Sequence, residues 1–156
     1  MARTVGLVAP SPSGADDRAV AAHYEFLEHT ADLGIRAGGA TPEEVFDAVG
    51  RAVAETLGAW FPGEGEPREV QVESADREAL LVAWVDELLY LQETGDAVFG
   101  GFEVARVGER DLDATVRLAP AAGRPLEGQH VKAATYHRLR LAREEGGWVG
   151  EIFLDV

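Results

Sequence analysis

The chain has 156 residues, no cysteine and a formal net charge of −14 from 28 acidic and 14 basic side chains, and 46% of its residues are hydrophobic. This length and apolar content predict one domain with a substantial core, and the lack of cysteine excludes disulfides and thiolate zinc sites. So large an acidic excess argues against direct binding to a nucleic-acid backbone and favours a basic protein partner or a bound cation.

No segment indicates secretion or a membrane span. The apolar run at residues 5–9 is too short for a signal core, and no run approaches the roughly 20 residues that a membrane helix needs. We therefore expect a cytoplasmic protein without a membrane partner. Residues 1–22 are rich in Ala, Ser, Gly, Pro and Asp and predict a disordered leader, whereas residues 23–156 predict the folded domain.

The first part of the predicted domain contains two strands and a helix. Apolar, strand-like patterns fill residues 23–28 and 33–37. Thr41 as N-cap and Pro42 at the first helical position predict the start of a helix. The apolar residues that follow recur with a 3.6-residue period up to Gly58, where we expect the helix to end.

The rest of the chain contains a second helix surrounded by strands. Asp76 caps this helix, and a broad apolar face that includes Trp84 extends to about Leu91 and predicts packing against a sheet. Strand patterns occupy five further stretches: 69–73, 99–107, 112–118, 131–141 and 148–156. The order β-β-α-β-α-β-β-β-β predicts an α+β fold, a single domain in which two helices pack on a largely antiparallel β-sheet.

A short polar interruption between the first two strands is the first candidate site. His29, Thr30 and Asp32 lie within four residues here. An Asp at a strand end commonly caps its own backbone, so Asp32 alone indicates little. The last strand ends in Asp155 and Val156, and we expect Asp32, Asp155 and the Val156 carboxylate to meet. Clustered carboxylates repel each other unless a cation intervenes, and oxygen donors suit calcium or magnesium better than zinc.

Three further side chains are candidates for a functional role. Lys132 is the single lysine among the 14 basic residues, which indicates either a position that requires a compact ammonium or an incidental surface lysine. His29 and His137 suggest acid–base or zinc chemistry, but they lack metal-ligand spacing, and a buried, hydrogen-bonded imidazole is the commoner situation. The chain has no P-loop, no dinucleotide-binding glycine motif and no nucleophile elbow, so a self-sufficient nucleotide enzyme is not indicated.

Five stretches in a fixed order resemble the archease family. They are Tyr24–Ile35, Ala40–Phe46, Trp84–Leu91, Val131–His137 and Leu154–Val156. The resemblance covers residues 23–156 and leaves the leader outside. Two departures touch no charged group: Gly38-Gly39 stands where the family often has an aromatic-Gly pair, and Val156 replaces the commoner final Ile.

The resemblance implies a cofactor-like protein that is not itself an enzyme. Archeases activate the RtcB-type tRNA-splicing RNA ligase, a basic RNA-binding protein, by promoting its guanylylation by GTP and its multiple turnover. The family binds a divalent cation, typically calcium with magnesium or manganese as alternatives, through residues that here are Asp32, Asp155 and Val156. Lys132 corresponds to the lysine of the family's functional set, and direct nucleic-acid binding is not expected.

Two other functions are compatible with the sequence. One is a chaperone-like modulator of nucleic-acid-processing enzymes, a role also attached to the family. The other is a small metal-dependent phosphoester hydrolase that uses His29, Asp32 and His137, and the absence of a nucleophile motif counts against it. A plain structural module is less consistent with the single lysine, Lys132.

Overall fold

The computed structural model describes residues 2–7, 21–28 and 32–156, which form eight strands and two helices. In chain order these are β1 (Ala2–Leu7), β2 (His23–Glu28), β3 (Asp32–Gly39), α1 (Pro42–Thr56), β4 (Glu66–Glu73), α2 (Arg77–Gly95), β5 (Ala97–Val107), β6 (Asp111–Pro120), β7 (Ala133–Glu144) and β8 (Gly147–Asp155). The predicted α+β class is confirmed, and β5 and β6, which contain the strands predicted at 99–107 and 112–118, pair as a hairpin. None of the described helices is long and apolar enough to cross a membrane.

The strands form two antiparallel sheets, where the sequence predicts one. Five strands pair in the order β1-β2-β3-β8-β7, and three pair in the order β4-β6-β5. All pairings between these strands are antiparallel. Strand β8, the last in the chain, therefore lies in the interior of the larger sheet, between β3 and β7.

The two helices lie between the sheets. Helix α1 packs against β3 and β5, and α2 packs against β7 and β5, so each helix contacts both sheets. The indole N–H of Trp84 on α2 donates to the backbone C=O of Phe46 on α1 at 2.9 Å and joins the two helices inside the core. A helix between two sheets needs apolar residues on most of its surface, which explains the buried set of α1: Val45, Phe46, Ala48, Val49, Gly50, Ala52, Val53 and Ala54.

Both helices begin where the sequence predicts. The side chains of Thr41 and Asp76 each accept a hydrogen bond from the backbone N–H three residues later, at 3.2 and 2.7 Å. The second helix continues past the predicted Leu91 to Gly95. It ends there because Asp96 adopts the left-handed conformation, with φ of 46°, that terminates many helices.

Strand β1 differs from the disordered leader that the sequence predicts. Residues 2–7 pair along the edge of β2, with Ala2 opposite Leu27 and Leu7 opposite His23. An edge strand presents unpaired backbone N–H and C=O groups, and β1 satisfies those of β2. Residues 8–20 lie outside the described part of the chain, so the disorder predicted for them stays a prediction.

The edge strand β5 is held by two carboxylates of α1. Asp47 accepts a hydrogen bond from the N–H of Val104 at 2.8 Å, and Glu43 accepts one from the N–H of Val107 at 2.9 Å. Both bonds satisfy backbone groups on the side of β5 that faces away from β6. Burial raises the pKa of the Asp47 carboxyl to about 7, and three neighbouring glutamates add to this increase against the lowering effect of the bond to Val104.

The raised pKa of Asp47 predicts a pH-dependent stability. The folded state keeps a proton on Asp47 that the unfolded chain loses near pH 4, so the free energy of unfolding falls as the pH rises from about 4 to about 7. Asp47→Asn keeps an acceptor oxygen for Val104 without the charge. At about pH 8 we expect this variant to be more stable than the wild type by roughly 2 kcal/mol, after allowance for partial exposure of the group to solvent. At about pH 4 the free energies of unfolding of the two proteins should be nearly equal.

Urea unfolding of both proteins at the two pH values measures this difference. The same pH dependence in the wild type and in Asp47→Asn would contradict the assignment of the titration to Asp47.

Candidate functional site

One end of the larger sheet brings together residues from the beginning and the end of the domain. Strands β3 and β8 pair continuously from Asp32 opposite Asp155 to Gly39 opposite Trp148. Directly opposite residues of an antiparallel pair point to the same face, with Cβ atoms about 5 Å apart. The side chains of Asp32 and Asp155 are therefore neighbours. This juxtaposition agrees with the one predicted from the sequence, while the role of the two residues stays a prediction.

The two aspartates lie on the face of the sheet that is turned away from the helices. On the same face of β3, Arg36 is exposed and forms cross-strand ion pairs with Glu25 at 3.0 Å and Glu151 at 3.5 Å. The residues of β3 that alternate with Arg36 are buried in the core. Because Asp32 and Asp155 are only partly buried, a ligand from solution can reach them.

The charges of this carboxylate pair are not compensated within the described part of the chain. Neither Asp32 nor Asp155 takes part in an ion pair or a side-chain hydrogen bond there. Like charges directly opposite each other destabilise a sheet, and an intervening cation removes that repulsion. A set of oxygen donors is also what calcium and magnesium prefer. The residues present therefore fit a divalent cation.

The third predicted donor is a main-chain group. Among residues 2–7, 21–28 and 32–156, no group of three or more His, Cys, Asp or Glu side chains is placed to hold a metal ion. The predicted set contains two such side chains, and its third member is the carboxylate of Val156, the last residue of the sequence. The Val156 side chain packs against the core.

The predicted functional lysine adjoins the carboxylate pair from the other side of β8. The backbone N–H of Lys132 donates to the C=O of Asp155 at 2.8 Å, and the next residue, Ala133, pairs with Asp155. The Lys132 side chain is exposed and forms no ion pair with Asp32 or Asp155. Its ammonium group is therefore accessible to an anionic ligand from outside.

A contact at the end of α1 determines the course of the loop that carries Lys132. The loop comprises residues 121–132. Its Gln129 N–H donates to the C=O of Thr56, the last residue of α1, at 2.7 Å. The neighbouring Gly128 lies so close to the end of the helix that a Cβ atom at this position would overlap the backbone of Leu57 and Gly58. The loop can take this path only because residue 128 is glycine.

Phe153, which is not among the site residues predicted from the sequence, covers the sheet beside the carboxylate pair. Its side chain is 2% exposed although it lies on the outward face. The ring lies over Gly34, where an added Cβ atom would come within 2.6 Å of it. His137 packs edge-on against this ring, with centroids 6.0 Å apart, and is exposed, in contrast to the buried imidazole considered from sequence. A glycine inside a strand pattern is the signal that could have indicated the close contact.

His137 reaches Phe153 because β7 contains a bulge. Residues 136–139 face a single residue of β8 between two regular register pairs. Within the bulge, Arg138 has a left-handed φ of 55°. The strand predicted for residues 131–141 is present as β7, but the bulge interrupts its period of two after Thr135.

The structure thus gathers five of the six predicted site residues around one end of the sheet: Asp32, Lys132, His137, Asp155 and Val156. The sixth, His29, lies outside the described residues, so its position is untested.

The chain is similar in sequence to a known protein family. Residues 24–156 match the model of the Archease protein family (MTH1598/TM1083). The archease of Methanosarcina mazei is 36% identical over 139 residues, which cover 85% of this chain and 95% of the relative. The archease of Pyrococcus furiosus is 34% identical over 142 residues, which cover 85% of this chain and 98% of the relative.

Two solved structures are similar in fold. The solution structure of protein 1598 of Methanobacterium thermoautotrophicum has a TM-score of 0.68 and 29% identity, and the match covers 85% of this chain and 98% of that one. The crystal structure of a Thermotoga maritima archease, described as a "possible chaperone", has a TM-score of 0.60 and 22% identity. The match covers 83% of this chain and 94% of that one. At the latter identity the likeness shows the fold alone.

Proposed function

This chain belongs to the archease family, and from that premise we propose that it is a non-catalytic activator of an RtcB-type tRNA-splicing RNA ligase. In this role it promotes the guanylylation of the ligase by GTP and so its multiple turnover. The observation that carries the proposal is the uncompensated pair of Asp32 and Asp155, directly opposite each other and adjoined by Lys132. A purely structural module has no need to place two like charges in this position.

Asp32, Asp155 and the Val156 carboxylate would hold a divalent cation, with calcium favoured and magnesium or manganese as alternatives. When bound, the cation supplies positive charge that can stabilise phosphate oxygens. The chain's own contribution is to fix the two carboxylates through the unbroken β3–β8 register. The side chain of Val156, the third proposed ligand residue, packs against the core.

Lys132 has a separate task in this proposal. Its exposed ammonium can contact a phosphate of the nucleotide as a point charge when the two proteins meet. Its position is fixed by its backbone bond to Asp155, so the positive group and the carboxylate pair are presented together. The net charge of −14 favours association with a basic, RNA-binding ligase.

A ligase turnover assay tests the proposal. With ligase, RNA and GTP fixed, we expect roughly one product per ligase in the absence of this protein and many products in its presence. This protein should also accelerate guanylylation of the ligase, which is measured by the transfer of label from GTP to the ligase. Ligation and guanylylation that do not respond to this protein would contradict the proposal.

Replacing Lys132 with arginine tests the requirement for an ammonium group. Arginine keeps the charge but has a larger, planar head group with a fixed set of donors, so we expect Lys132→Arg to reduce activation roughly tenfold. Stability should not change, because the side chain is exposed. Arg143→Lys, at an exposed position within β7, is the control. Full activation by Lys132→Arg would show that only the charge matters.

A second candidate function is supported by the description of the Thermotoga maritima relative as a "possible chaperone". In that case the protein would modulate several nucleic-acid-processing enzymes. Capture of partners from cell extract distinguishes the two functions. One dominant ligase supports the activator role, and many unrelated clients support the chaperone-like role.

A further inference from the structure

Two tyrosines stand out on the surface of the described residues. Tyr90 is 60% exposed and Tyr136 is 67% exposed, and they are the large hydrophobic side chains that the described part of the chain leaves in solvent. Neither ring makes a side-chain hydrogen bond or an aromatic contact there. The fold therefore does not need these rings where they are.

The packing of α2 along β7 places both tyrosines near the carboxylate pair. The Asp86 carboxylate accepts a hydrogen bond from the N–H of Ala134 at 3.1 Å. Glu78, earlier on α2, accepts one from the N–H of Leu141, later on β7, at 3.2 Å. The helix and the strand therefore run in opposite directions, and the end of α2 beyond Asp86 lies beside the start of β7.

Each tyrosine is only a short distance from the bond between Asp86 and Ala134. Tyr90 is one helical turn, about 6 Å, beyond Asp86 in the direction of Lys132. Tyr136 is two residues, about 7 Å, beyond Ala134 at the start of the bulge. Because β7 pairs with β8 at Asp155, both rings flank the end of the sheet that carries the candidate site.

The charges around Tyr90 indicate the kind of partner. On the surface of α2 three of its four neighbours three or four residues away are acidic and at least partly exposed, namely Asp86, Glu87 and Glu93, and the fourth is Thr94. Asp32 and Asp155 add two more uncompensated carboxylates at the same end of the molecule. An exposed aromatic ring inside an acidic rim complements a basic protein surface that offers an apolar pocket.

We infer that Tyr90 and Tyr136 are the anchors of a docking surface for a basic protein at the end of the sheet that carries the carboxylate pair and Lys132. The inference rests on the proposed function, because the ligase is the basic protein that would occupy this surface. Tyrosine carries a large, rigid contact area at little entropic cost, and a few such residues supply most of the binding energy of an interface. Docking through both rings would bring the partner to the end of the sheet that carries Lys132 and the carboxylates.

Binding of the purified ligase to the full chain tests the inference. We expect Tyr90→Ala and Tyr136→Ala each to raise the dissociation constant about tenfold, and the double variant to raise it more. Tyr90→Phe should bind nearly as well as the wild type if the ring is the anchor. Gln71→Ala, at an exposed position on the smaller sheet, is the control and should bind normally. Unfolding midpoints within a few degrees of the wild type establish that the variants fold.

The outcomes separate this inference from the proposed function. Loss of binding in the double variant, with an unchanged calcium-binding isotherm, supports the docking surface. Activation by the wild type together with unweakened binding by the double variant overturns the docking surface and leaves the activator role standing. No complex between the ligase and the wild type overturns both. Tyrosine-dependent binding of single-stranded RNA without any effect on ligase binding also overturns the inference, since the occupant would then be nucleic acid.

Discussion

Replacing Asp32 or Asp155 with asparagine should lower the affinity for calcium roughly 100-fold or more and reduce activation of the ligase to its unassisted level. Each substitution removes one of the two charged side chains of the proposed ligand set, whose third member is the Val156 carboxylate. The same change should slightly stabilise the cation-free protein, by roughly 0.2–1 kcal/mol, because it ends the repulsion between directly opposed carboxylates. That gain should shrink at high salt.

Calcium titration by calorimetry, urea unfolding without calcium and the turnover assay measure these three effects on the same variants. Glu151→Gln is the matched control, because Glu151 lies on the same strand and the same face but is paired with Arg36. It should leave calcium affinity unchanged. Unaltered calcium affinity and activation in both aspartate variants would show that the site is elsewhere. A loss of cation-free stability above about 1 kcal/mol would show that the carboxylates make a favourable contact.

Gly128→Ala should destabilise the protein by roughly 3–5 kcal/mol, a large effect for the addition of one methyl group. The added Cβ atom would overlap the backbone of Leu57 and Gly58, which cannot move aside as a flexible side chain can. Relief of the overlap requires the loop to leave the end of α1 and to break the bond from Gln129 to Thr56. For a chain of this size the melting temperature should fall by about 10 °C.

The same substitution should also weaken activation, because the loop leads directly to Lys132. Gly95→Ala is the control, since a Cβ atom there would meet only the Ala97 side chain at 3.7 Å, an ordinary contact. The variant Gly128→Ala should still bind calcium with near-normal affinity wherever it is folded, because Asp32 and Asp155 belong to other segments. A melting temperature equal to that of the control would contradict the predicted overlap.

The sequence predicts local features of this fold better than its long-range ones. Both helix starts were predicted from Thr41, Pro42 and Asp76, because capping depends on residues close together in the chain. The division of the strands into two sheets was not predicted, because an apolar helix pattern does not tell whether one sheet or two cover it. The end of α2 was also missed, since Asp96 is not a glycine although it adopts a conformation that favours one.

For the candidate site, too, the sequence indicates the residue types better than their positions relative to one another. Chemical type alone pointed to Asp32, Lys132 and Asp155, and the resemblance to a family strengthened that choice. Their juxtaposition depends on the register of β3 against β8 and of β7 against β8, which residues distant in sequence determine together. The ring of Phe153 over Gly34 depends on the register of β3 against β8, and the contact of His137 with this ring also requires the bulge in β7.

The interior position of β8 in the larger sheet bears on how the protein emerges from the ribosome. Until the final strand has been synthesised, β3 and β7 have no neighbour on the sides that β8 will occupy, and both expose open edges. Nascent chains that stall before residue 147 should therefore recruit chaperones or aggregate, and the carboxylate pair should form in the same step that closes the sheet.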